Sequence, residues 1–219
     1  MNRLSDQFLL VGWARRALVG VGVLSLDLLA MQLPAMASEN FGEVVSQSSA
    51  MEESWTEEVG VALGGGLGMK VFGSDLDHHF ALSKIHYGWN RNRTYFNDFW
   101  FRGELGVLNE FMVGGQFDPE GAYVLGLTPV LRYRFNCWER LRPFVEGAAG
   151  IMLTDVGTPS LGSVFEFYQQ AGLGLEWKQS EALSLAIQSR FVHVSNAGIT
   201  RSNRGINNLF FFIGANWAF

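Results

Sequence analysis

From residue 57 to the C-terminus, apolar side chains recur at every second position in eight segments separated by turn-forming residues. The clearest segment is 123–135. Tyr123, Leu125, Leu127, Pro129, Leu131, Tyr133 and Phe135 share one face, opposed by Gly126, Thr128, Val130, Arg132 and Arg134. Successive side chains of a strand point to opposite faces, so this period predicts a strand with one apolar face and one small, polar or charged face. The same pattern predicts strands over 59–71, 99–107, 145–153, 165–177, 182–196 and 205–219, and a poorly alternating one over 79–90. The stretches between them carry Gly, Asn, Asp, Ser and Pro, the residues turns require.

Two architectures alternate in this way. In a soluble sandwich the apolar faces form the core, whereas in a small membrane barrel they meet lipid and the polar faces fill the interior. The polar faces here are rich in glycine and carry Arg102, Arg132, Arg134 and Arg190 against Glu104, Glu146, Glu166 and Glu176. Opposed charges among small residues suit a narrow, ion-paired interior better than a solvated surface. The final segment is apolar on one face and ends on Phe219, with Trp217 and Ile213 on that face. The reading is therefore all-β, an eight-stranded antiparallel transmembrane β-barrel over 57–219. A barrel of eight strands is filled by its own side chains, so it predicts no diffusion pore.

The N-terminal segment belongs to a different class. Arg3, Arg15 and Arg16 precede an apolar run that closes in Ala35-Met36-Ala37, the arrangement of a secretory signal peptide over 1–37. Residues 38–56 are polar and acidic and form a lead-in. Composition narrows function further. Charged residues make up 17% of the chain and the formal net charge is -5, which excludes a basic nucleic-acid footprint. The single Cys137 excludes a disulfide framework and a Cys-rich metal site. His78-His79 would point to opposite faces of a strand, so no metal or other cofactor is expected.

Candidate chemistry lies on the last hairpin. With both termini on the periplasmic side, the seventh strand ends at the cell exterior. His193 and Ser195 fall on its apolar face beside Leu185 and Ile187, and Asn207 falls on the apolar face of the eighth strand. Residues two apart on a strand have Cα atoms about 6.5 Å apart on one side, near enough for their side chains to meet. A pairing of His193 with Asn207 would bring their Cβ atoms to about 5 Å. This is a candidate Ser nucleophile, His base and polar orienting group; the alternative is an interfacial His that anchors the strand end.

The stretch His193-Val194-Ser195-Asn196-Ala197-Gly198, followed by Asn203, Gly205 and Asn207, resembles the signature of the lipid A 3-O-deacylase family. The resemblance implies an outer-membrane barrel that hydrolyses an ester-linked hydroxyacyl chain of lipopolysaccharide. It implies Ser195 as nucleophile and His193 as base, with Asn196, Asn203 and the Gly198 N–H as candidates to hold the oxyanion. It also implies lipid A in the outer leaflet as substrate, outer-membrane lipids as surroundings and a homodimer as one option. Where active members carry Glu, this chain has Asn207, which accepts from imidazole but lends it no negative charge. A non-catalytic structural or adhesion barrel is the alternative function.

Overall fold

The computed structural model describes residues 54–74 and 77–219; the expected signal peptide and most of the lead-in lie outside them. Eight antiparallel strands close into one barrel with every strand paired to its sequence neighbours and β1 to β8. They are β1 (Trp55–Gly68), β2 (His79–Arg91), β3 (Gly103–Asp118), β4 (Ala122–Phe135), β5 (Leu141–Thr154), β6 (Phe165–Lys178), β7 (Leu183–Ser195) and β8 (Ile206–Ala218). Closure leaves no free sheet edge, the condition for strands to cross hydrocarbon.

Side chains divide as the alternation predicts. Leu63, Leu67, Leu131, Leu173, Ile187 and Ile213 stand exposed on the outside, while Glu58, Lys84, Glu110, Arg132, Arg134, Glu146, Glu176 and Arg190 are buried inside. An apolar exterior around a charged interior is the inverse of a soluble sandwich, and the barrel spans a membrane. Arg134 donates to both carboxylate oxygens of Glu58, at 2.8 and 2.7 Å, and to Glu176 at 2.9 Å. Arg132 reaches Glu146 at 3.0 Å, and Arg190 and Lys84 share Glu110 at 2.5 and 2.9 Å. Gly172 leaves room for this network, since a Cβ there would stand 2.8 Å from Arg190 Cγ.

The interior has a second layer that the alternation did not predict. Toward the end that carries the β7–β8 loop, Phe80, Leu82, Met112, Val124, Met152, Tyr168, Val192, Val194, Phe210 and Phe212 form an apolar plug. Two corrections share this cause. The weak alternation over 79–90 arises because β2 points Phe80 and Leu82 into the plug but Lys84 and His86 into the charged layer. The third strand is displaced from 99–107 to Gly103–Asp118, because its outer half is apolar on both faces, with Leu108 and Met112 inside and Phe111 and Val113 outside. Phe99, Trp100 and Arg102 lie instead in the β2–β3 connection. Arg102 is thus exposed rather than interior, and Glu166, though buried, accepts from Ser163 at 2.9 Å rather than from an arginine. β1 also begins at Trp55, inside the expected lead-in.

Candidate active site

The β7–β8 register places His193 directly opposite Asn207, and both alternate onto the outer face with Ser195. His193 and Ser195 are half-buried, whereas Asn207 is 1% exposed although it faces outward. Its cover comes from the β1–β2 connection. The Met69 N–H donates to the Asn207 carbonyl at 2.8 Å, and the Asn207 side-chain Nδ2 donates to the Val71 carbonyl at 2.7 Å. Phe72, at φ 51°, then stands edge-on to Phe191 with ring centroids 6.2 Å apart. This strap lies across the outer face of the hairpin.

The strap decides the chemistry of the histidine. A backbone carbonyl can only accept, so the amide nitrogen of Asn207 must face Val71 and its Oδ1 must face His193. His193 Nδ1 lies 2.7 Å from that oxygen and is therefore its donor. In the neutral ring the proton is then on Nδ1 and the lone pair on Nε2, the tautomer that a general base toward Ser195 would need. Gly205, at φ 74°, lies against the ring: a Cβ there would come within 3.0 Å of His193 Cε1.

The loop after Ser195 is built from the other predicted residues. Asn196 is fully buried; its Oδ1 accepts the Gly198 N–H at 2.9 Å, and its Nδ2 donates to Thr200 Oγ1 and the Ser202 carbonyl at 2.6 and 3.2 Å. Asn203 Oδ1 accepts the Asn196 N–H at 3.1 Å. Asn196 and the Gly198 N–H thus brace the loop, while among the described residues the Asn203 amide group has its donor end left over.

Two contributors carry no sequence signal as functional groups, the Val71 carbonyl and a buried brace behind the hairpin, while Gly205 stands in the sequence motif but without a task of its own. His78 Nδ1 lies 2.6 Å from Gln116 Oε1, and its Nε2 lies 2.8 Å from Ser160 Oγ. The Ser160 carbonyl accepts the Gly205 N–H at 3.1 Å, and Asn208 Nδ2 donates to the His78 carbonyl at 2.6 Å. His78 therefore lies in the connection before β2 and ties loops together.

The family model described as lipid A 3-O-deacylase (PagL) matches residues 80–216, more than half of the chain and the whole of this hairpin's site. The chain belongs to the lipid A 3-O-deacylase family. Lipid A deacylase PagL of Pseudomonas aeruginosa is 30% identical over 122 residues, covering 52% of this chain and 68% of that relative. Among solved structures, the crystal structure of the outer membrane enzyme PagL aligns with a TM-score of 0.50 at 21% identity, over 72% of this chain and 97% of that one. Neisserial surface protein A aligns with a TM-score of 0.52 at 12% identity, over 75% and 97%. These two alignments carry the barrel fold. This member of the family is an outer-membrane barrel, and the candidate site lies at the end of the barrel opposite the start of β1 and the end of β8.

Proposed function

We propose that this chain hydrolyses the ester-linked 3-O hydroxyacyl chain of lipid A by a Ser195/His193 mechanism at the outer-leaflet end of the barrel. The observation that carries the reading is the 2.7 Å contact between His193 Nδ1 and Asn207 Oδ1, which assigns the lone pair of the neutral ring to Nε2, on the face His193 shares with Ser195. Residues 1–37 supply the export signal such a barrel needs. Lipid A in the outer leaflet lies beside an outward-facing nucleophile, so binding needs no extraction of the substrate from the membrane and proximity lowers the barrier.

Each residue then has a task. His193 Nε2 takes the Ser195 proton as Oγ attacks the ester carbonyl, and the resulting oxyanion accepts from the Asn203 amide. The imidazolium returns its proton to the sugar oxygen, which leaves. Water, activated by His193, releases the hydroxy fatty acid from Ser195 and restores the enzyme. Asn207 holds the ring and the tautomer but adds no negative charge opposite the imidazolium, so this member trades electrostatic stabilisation for orientation. Asn196 and Gly198 position Asn203 through the loop.

Mass spectrometry of lipid A from cells with and without the protein tests the reading. Loss of one hydroxyacyl chain per lipid A is expected with the wild type and none with Ser195→Ala, while heat-modifiable migration shows both barrels folded. A folded wild-type barrel that leaves lipid A intact would make this a structural or adhesion barrel. Asn203→Ala is expected to lower kcat by about a hundredfold to a thousandfold with little change in KM, the cost of losing one oxyanion donor.

A further inference from the structure

The β2–β3 connection, residues 92–102, lies at the end of the barrel where β1 begins and β8 ends, and is built unlike an ordinary turn. Five of its eleven residues are aromatic: Tyr95, Phe96, Phe99, Trp100 and Phe101. It is well formed. Tyr95 and Gly103 exchange backbone hydrogen bonds at 2.7 and 3.1 Å, and tight turns close from Phe99 N–H to the Phe96 carbonyl and from Arg102 N–H to the Phe99 carbonyl. Phe101 packs its ring 5.1 Å from both Phe96 and Phe99 and 5.5 Å from Trp100. The cluster nonetheless leaves Phe96 54%, Phe99 56% and Trp100 83% exposed. Phe96 occupies φ 55°, a conformation that Gly or Asn adopts with less strain. A bulky apolar side chain kept at such a position, facing outward, opposes both backbone preference and the hydrophobic effect unless something apolar covers it.

Two further observations identify the cover. The lobe is continuous with the lipid-facing wall, because Tyr133, on the outer face of β4, donates its hydroxyl to the Phe101 carbonyl at 2.9 Å. Arginines border the aromatics: Arg93 lies 5.5 Å from the Tyr95 ring centroid, and Arg91 lies 5.8 Å from that of Trp55. Trp, Tyr and Arg side by side, joined to an apolar belt, match the headgroup level of a bilayer, where rings meet acyl chains and guanidinium groups meet phosphate. We infer that the 92–102 lobe is an interfacial anchor that inserts Phe96, Phe99 and Trp100 among the phospholipids of the periplasmic leaflet. In the ring of eight strands, β3 lies across the barrel from β7. The anchor therefore grips the wall opposite the Ser195 hairpin and in the opposite leaflet.

The test is tryptophan quenching of the full chain refolded into phosphatidylcholine vesicles, with the signal of Trp100 taken as wild type minus Trp100→Phe. Lipids brominated near the glycerol end of the acyl chain are expected to remove most of that difference signal, and aqueous iodide to leave it intact. A Phe99→Trp variant adds a second reporter, for which the same loss is expected, so the test does not rest on one substitution. Quenching by iodide with none from brominated lipid would overturn the inference in favour of a lobe standing in water. Protection from both quenchers would also overturn it, since a protein partner or a second copy would then be the cover. None of these readouts depends on deacylation, so the anchor and the enzymatic reading stand or fall separately.

Discussion

Asn207 uses both ends of its amide, the oxygen for His193 and the nitrogen for the Val71 carbonyl. An aspartate at this position would supply the negative charge that an imidazolium favours, but it would also set two acceptors against each other 2.7 Å apart where a hydrogen bond now stands. The strap over the hairpin depends on that bond. Asn207→Asp is therefore expected to loosen residues 69–73, read as faster tryptic cleavage after Lys70; cleavage at the wild-type rate would show that the strap is held by other means. Asn207→Ala removes the partner of His193 as well, and a lost hydrogen bond of about 1.5 kcal/mol corresponds to about a tenfold fall in kcat. At this scale the pairing of His193 with Asn207 was legible, because hairpin register and period two are local properties. The Val71 carbonyl was not, because a backbone group far along the chain leaves no trace in residue identity.

The β7–β8 hairpin and its ten-residue loop act as one element. Gly205 closes the loop at φ 74° and presents a surface without a Cβ to the imidazole, while its N–H is tied to Ser160. Alanine there would meet both the left-handed backbone cost, about 1–2 kcal/mol, and the ring of His193. Gly205→Ala is expected to lower kcat by about tenfold or more while the barrel still folds, and a variant as active as wild type would remove the glycine from the site's construction. Strand prediction shows the same division between local and distant causes. β4 was read to within one residue because it alternates along its whole length. β3 was displaced because Leu108 and Met112 turn inward toward other apolar strands, and alternation vanishes where both faces are apolar.

Over the whole barrel the interior divides into a charged layer toward the start of β1 and the end of β8 and an apolar plug toward the β7–β8 loop. The plug backs the β7–β8 hairpin with Val192, Val194, Ile206 and Phe210, and together with the ion pairs it occupies the interior. Reconstituted protein is accordingly expected to conduct no ions across a planar bilayer. In the charged layer, Arg190 is 1% exposed and faces both Glu110 and Glu146. Arg190→Met would leave Glu110 to Lys84 and Glu146 to Arg132, a net loss of one buried positive charge from the network, and removing one partner of a buried pair costs up to about 3–5 kcal/mol. Urea unfolding in vesicles is expected to register that loss, and an unchanged midpoint would mean that water or Lys84 compensates.

The sequence alone determined eight strands, the apolar outer face, the polar small inner face and the row of His193, Ser195 and Asn207 on the outside of the last hairpin. Those features depend on neighbours two residues away or across one turn, and local geometry carries them. Tertiary structure alone decided which carboxylate meets which arginine, how Glu58, Lys84 and Glu110 join the interior, and how far the apolar plug extends. It also decided that a strap from the other end of the strand order covers Asn207 and sets the histidine tautomer. These depend on barrel closure and on the stagger of distant strands, and no periodicity in one segment records where another will come to rest.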